Sequence, residues 1–156
     1  MLKYVLALIL FANISLKQDL QAQVTEAVIG VDGFTCSLCA KGVEGQFKAL
    51  DYVKSVKTDL KKTQFTLIFK NNPEVKFKEI RDAVTDGGFS LREIDITAKG
   101  QLKTDGSSFF LLDTKNSPEI NLKGVKGDFI NGEKVLVKGK FDTPGNTLIV
   151  SSIEKL

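Results

Sequence analysis

Apolar and polar residues alternate along TEAVIGVDGF, residues 25–34, placing Ala27, Ile29 and Val31 on one side of an extended chain. The pattern predicts a strand that ends near Gly33. Over residues 37–50 the spacing becomes helical, with Val43, Phe47 and Leu50 on the inward face. Gly42 and Gly45 each weaken that helix by about 1 kcal/mol relative to Ala. The apolar stripe persists, so a helix is still expected, its glycines either permitting close packing on a sheet or loosening the first turn. Residues 51–60 read as a strand carrying Val53 and Val56. KKTQ is a turn, and residues 65–70 form a strand with Phe65, Leu67 and Phe69 on one face. A loop around Pro73 leads to a helix over 75–86, with Phe77, Ile80 and Val84 inward, stopped by Gly87 and Gly88. Residues 89–96 alternate again as a strand. The order β-α-β-β-α-β over residues 25–96 is the ferredoxin-like split βαβ arrangement, an α+β fold with two helices on one face of a four-stranded antiparallel sheet.

Helical periodicity stops after Ile96. Short apolar runs alternate with turn residues at Asp105-Gly106, Ser117-Pro118 and Pro144-Gly145, giving about five short strands. This predicts a small all-β barrel over residues 97–156, OB-like in pattern, with Gly100 and Gly139 where a closing barrel bends or bulges. No long linker separates the halves, so the last strand of the first unit is expected to run almost directly into the barrel.

The first residues change the picture. MLKY is basic at Lys3, residues 5–14 are apolar but too short to span a bilayer, and the chain then turns polar, with small Ala22 near a cleavage position. Residues 1–23 are read as a signal peptide, residues 24–96 as the first domain and 97–156 as the second. Export to a periplasmic or secreted location follows, in an oxidising compartment, with no stable membrane insertion once the leader is cleaved.

Composition excludes several chemistries. The chain of 156 residues is 42% hydrophobic and 26% charged, with a formal net charge of +3. That balance fits a soluble globular protein and lacks the dense basic patch that nucleic acid requires. Phe109 and Phe110 read as barrel core in preference to a base-stacking platform. Histidine is absent and Met1 is the only methionine, so no Ser-His-Asp or Cys-His catalytic arrangement exists and the protein is not expected to be an enzyme.

The chemistry concentrates in GFTCSLCAKGVE, residues 33–44, which holds both cysteines, Cys36 and Cys39. Two residues separate them, at a junction between strand and helix. The helix N-terminus favours thiolate there, and Lys41 either adds to that field or is an ordinary exposed lysine. Two sulfurs without His or Met form a low-coordinate soft site, which favours Cu(I), Ag(I) or Hg(II) over hard cations. Zn(II) ranks lower, since a closed structural zinc site takes four ligands.

The first unit resembles the heavy-metal-associated (HMA) domain family, whose motif G-M-T-C-x-x-C stands here as Gly33-Phe34-Thr35-Cys36-Ser37-Leu38-Cys39. The likeness continues through Val43-Glu44, residues 50–56, Ile80, Ala83-Val84 and Gly88-Phe89. The family includes copper chaperones, N-terminal domains of copper-transporting ATPases and exported mercury-binding proteins. The resemblance implies that Cys36 and Cys39 bind the metal and that a metal-transport or metal-accepting protein is the partner. Phe34 replaces the motif Met, which in the family packs beneath the loop and is not a ligand. Phe89 matches an aromatic that many bacterial members place near the site, or else opens the core of the last strand.

Three readings of the pair remain at this point. The first is an exported carrier or sequestering protein for a soft heavy-metal ion. The second is a thiol-disulfide oxidoreductase, disfavoured by Ser37-Leu38 between the cysteines and by the split βαβ order. The third is a static disulfide in an adaptor, a weak motive because so short a loop gains little entropy on closure.

Overall fold

The computed structural model describes residues 23–71, 74–112 and 119–156; the expected leader up to Ala22, Pro73 and the Ser117-Pro118 turn lie outside them. The first unit runs β1 (Gln23–Asp32), α1 (Ser37–Ala49), β2 (Val53–Asp59), β3 (Gln64–Phe69), α2 (Phe77–Asp86) and β4 (Ser90–Thr104). The second contributes β5 (Phe109–Leu112), β6 (Ile120–Lys123), β7 (Lys134–Asp142) and β8 (Thr147–Lys155). The βαββαβ order expected from periodicity is present, and its strands stand in the order β2-β3-β1-β4, all neighbours antiparallel. Gln23, placed at the end of the leader in the sequence reading, is the first residue of β1.

β4 is where the two halves meet. It is one strand of 15 residues and belongs to both. Along one edge it pairs with β1 from Ser90 to Lys99 and then with β5 from Gln101 to Thr104. Along the other edge it pairs with β7 from Asp95 to Gln101. The barrel then closes in the order β4-β5-β6-β8-β7 and back to β4, with β6 and β8 parallel. Ile96 lies between Ala27 of β1 and Gly139 of β7, and Ala98 lies between Val24 and Val137. Residues opposite one another share a face, so the helix-covered face of the first sheet continues as the barrel interior. One apolar core results, running from Val43 and Phe47 beneath α1 to Leu102, Leu111, Val135 and Leu148 inside the barrel.

Local chemistry explains the element ends. Gly88 adopts φ +80°, the left-handed conformation expected after α2, while its neighbour Gly87 stays right-handed at φ −72°. A side chain at Gly87 would come within 3.2 Å of Val43 and 3.3 Å of Phe89. The glycines of α1 behave otherwise. Gly42 and Gly45 are exposed, with nothing within 4 Å of an added Cβ, so they permit no close packing. Gly139 is the tight position: a Cβ there would lie 2.1 Å from the carbonyl oxygen of Ile149, beside a register shift between β7 and β8. The barrel closes by letting two backbones approach where no side chain fits. Phe109 packs against the core, as expected, and Phe110 is half-buried.

Side chains also fasten the halves together. Phe77 of α2 stacks on Phe141 of β7 with ring centroids 4.3 Å apart. Lys140 of β7 pairs with Glu93 of β4 at 3.0 Å. Hydrogen bonding from Lys140 holds the Glu93 carboxyl below the usual carboxylate range, against a smaller opposing effect of burial. Asp95 is shifted upward, first by burial and then by the neighbouring Glu93 charge.

Two stability predictions follow from this architecture. Gly42→Ala and Gly45→Ala each raise stability by about 0.5–1 kcal/mol, whereas Gly139→Ala lowers it by more than about 2 kcal/mol, measured by urea unfolding. The junction carboxylates respond to pH in opposite senses. Glu93, with a lowered folded pKa, stabilises above its unfolded pKa and loses this as pH falls through the folded one. Asp95, with a raised folded pKa, destabilises at neutral pH and is relieved as pH falls through that raised value. At neutral pH Glu93→Gln therefore lowers the melting temperature and Asp95→Asn raises it, each by under about 1 kcal/mol equivalent. The Asp95 difference vanishes once pH falls below the unfolded carboxylate range, and the Glu93 difference once pH falls below its lowered folded value, as thermal melts across the acid range will show.

Candidate metal centre

The cysteine loop begins where β1 ends. Gly33 has φ +101°, a conformation that L side chains rarely adopt, and it turns the chain out of the sheet. Phe34 then points back into the protein, only 3% exposed. Its ring centroid lies 5.4 Å from that of Phe65 and 6.0 Å from that of Phe89, the latter edge-on. The residue that replaces the motif Met is thus a buried anchor. Phe89 is half-buried against it, so it both supports the loop and precedes the last strand of the first unit.

With Phe34 fixed inward, the next residues are forced outward. Cys36 is the N-cap of α1 with extended backbone (φ −126°, ψ 150°), and its carbonyl accepts the Ala40 N–H at 3.2 Å. Its Sγ accepts the N–H of Cys39 at 3.2 Å, using a sulfur where a serine or aspartate oxygen usually caps a helix. Cys36 is exposed, and Cys39 is half-buried, packed against the core. The two are joined as a disulfide with Cα atoms 5.4 Å apart, which engages both cysteines of the chain. Between them Leu38 is 77% exposed. Lys41 is an exposed residue of α1. Among the described residues no group of three or more His, Cys, Asp or Glu side chains gathers to hold a metal, so the donors at this loop are the two sulfurs.

A clamp that sequence reasoning missed holds the base of the loop. Arg92 donates to Asp32 at 2.7 Å, to the Thr63 hydroxyl at 3.0 Å and to the Lys62 carbonyl at 3.1 Å. It ties the end of β1 to the β2–β3 turn beneath the cysteines. Gly30 makes room for it: a Cβ there would lie 3.0 Å from the guanidinium. Asp32 and Arg92 stand far apart in sequence, and no local pattern marks them as partners. On the far side of α1, Glu44 pairs with Lys48 and accepts the Thr58 hydroxyl at 2.8 Å, fastening the helix to β2. Those two partners, Lys48 first, hold its carboxyl below the ordinary range.

Comparison with known proteins places the first unit in a family. The heavy-metal-associated domain profile matches residues 28–90. The copper chaperone CopZ of Staphylococcus haemolyticus (strain JCSC1435) is 31% identical over 65 residues, spanning 42% of this chain and 94% of the chaperone. The chain belongs to the heavy-metal-associated domain family. Among solved structures, the yeast copper transporter domain Ccc2a, determined in apo and Cu(I)-loaded states, is 28% identical, covering 44% of this chain and 92% of its own at TM-score 0.40. A CopZ metallochaperone structure is 24% identical, covering 44% of this chain and 100% of its own at TM-score 0.41. The family profile ends at residue 90, before the barrel strands β5–β8.

The anchoring role of Phe34 predicts a graded response. Phe34→Met, close in volume, costs under about 1.5 kcal/mol, and Phe34→Ala costs about 3–5 kcal/mol. Urea unfolding of the two variants measures the difference.

Proposed function

We propose that this protein is an exported carrier or sequestering protein for a soft heavy-metal ion, Cu(I) in the first place, and not an enzyme. The observation that carries this reading is the convergence of Cys36 and Cys39 on one exposed loop whose clustered donors, among the described residues, are their two sulfurs. Two thiolates suit a soft ion of low coordination number, which ranks Hg(II) and Ag(I) next and Zn(II) lower. The copper chaperone relative supports the same assignment.

The disulfide defines the condition for loading. An external dithiol must first reduce the pair by two electrons, leaving as its own disulfide and releasing both sulfurs to bind an ion, and transfer to a metal-transport or metal-accepting partner then proceeds by stepwise thiolate exchange. Exposed Cys36 is the sulfur an incoming thiolate reaches first. The apolar leader supports a periplasmic or secreted location, where such oxidation is the default. The strand order of the barrel supports an OB-like identity for the second unit.

The disulfide also favours a second reading, in which the pair stays oxidised and the protein is an adaptor. Anaerobic titration separates the two. The reduced protein is expected to bind one Cu(I) per chain, while the oxidised protein and the Cys36→Ser, Cys39→Ser double variant bind none. Equal stoichiometry in the double variant would sink the carrier reading. Thiol counting together with metal analysis of natively exported protein decides which state the cell maintains.

A further inference from the structure

A groove of about 650 Å³ lies where the two units diverge, between α2 and the start of β4 on one side and the β7–β8 hairpin on the other. Its volume falls within the range of about 300–1,000 Å³ typical of ligand clefts. Three observations about its walls converge.

The first is an open strand edge. β4 is paired on its β1 edge from Ser90 onward, but β7 covers the other edge only from Asp95. Among the described residues, no strand is paired with the groove-facing edge of residues 90–94, over roughly 15 Å of extended chain. The second is a pair of unmatched charges. Arg92 and Lys140, which also line the groove, are engaged with Asp32 and Glu93. Arg81 on α2 and Asp142 at the end of β7 line it too, and neither side chain has an ion pair or hydrogen bond among the described residues. They stand on opposite walls, too far apart to pair with each other. The third is an apolar surface from Leu91, Pro144 and Ile149, with Ile149 52% exposed.

An unpaired strand edge, an unpaired cation, an unpaired anion and apolar contact surface are together what an extended peptide needs. We propose that this groove binds an extended segment of a partner protein, which adds as a strand along residues 90–94. The alternation of a strand sets its charge pattern. Phe141 lies on the helix-covered face, stacked on Phe77, so Asp142 belongs to the opposite face. Arg81 comes from the helix layer. A bound strand must therefore present an acidic residue to one face and a basic residue to the other, which places them an odd number of positions apart. Phe89 lines the groove and packs against Phe34, so the segment docks beside the cysteine loop and leaves the sulfurs uncovered. This inference does not depend on which ion the loop carries.

The test uses the full chain, isotope-labelled and oxidised, titrated with short capped Thr/Val peptides bearing one Glu and one Lys, either adjacent or separated by one residue. The adjacent-charge peptide is expected to shift amide resonances at residues 90–94 and 142–143 and to bind several-fold more tightly than the spaced one. Arg81→Glu and, independently, Asp142→Lys are each expected to weaken it about tenfold or more, the scale of a lost charge-assisted hydrogen bond. Amide spectra of the unliganded variants report whether they fold. The proposal is overturned if no peptide shifts these amides at about 1 mM. It is also overturned if the shifts centre on the open edge of β2, if the two spacings bind alike, or if both folded charge variants bind as the parent does.

Discussion

A strand has two edges, and β4 uses both over the same few residues. From Asp95 to Lys99 it is hydrogen-bonded to β1 on one side and to β7 on the other. Everything else in the molecule is arranged around that double pairing. Because directly opposed residues share a face, the alternation that buries Ile94 and Ile96 beneath the helices also buries Ala98 and Leu102 in the barrel. A slip of one residue would reverse both cores at once. The register of the first unit and the register of the barrel are thus a single constraint, and the stacked rings of Phe77 and Phe141 and the Glu93–Lys140 pair reinforce it at the boundary.

The cysteine loop depends on the same frame through a different interaction. Its geometry is set from below: Gly33 turns the chain, Phe34 locks into the aromatic group of Phe65 and Phe89, and Arg92 joins the end of β1 to the β2–β3 turn. The exposed positions that follow are consequences of that burial. Once Phe34 is inside, Cys36 stands at the cap of α1, with its sulfur positioned against the Cys39 amide. The exposure of the cysteine loop is therefore a surface property maintained by core packing, and the core that maintains it extends into the barrel.

Most of the first unit was legible in the sequence because its signals are local. The alternation of Ala27, Ile29 and Val31, the helical spacing of Val43 and Phe47, and the glycines after α2 each act within a few residues. The cysteine pair was legible because the motif is contiguous. What escaped notice depends on contacts distant in sequence. Arg92 looks like an exposed strand residue until Asp32, Thr63 and Lys62 are brought around it. The packing reading of Gly42 and Gly45 failed because both lie off the inward stripe of Val43 and Phe47, on the exposed side of α1. Gly139 was expected at a bend, and the structure adds the reason, a carbonyl oxygen on the next strand.

The continuity of β4 also governs how the loop meets other molecules. Two domains joined by a flexible linker sample many mutual orientations, and a site on one searches a volume set by linker length. Here the connecting segment is itself a strand in the middle of a sheet, hydrogen-bonded on both edges. The cysteine loop therefore points in a fixed direction relative to the barrel, and whatever holds the barrel also aims the sulfurs. Any encounter at the loop is then set by rigid orientation and not by a search over linker conformations.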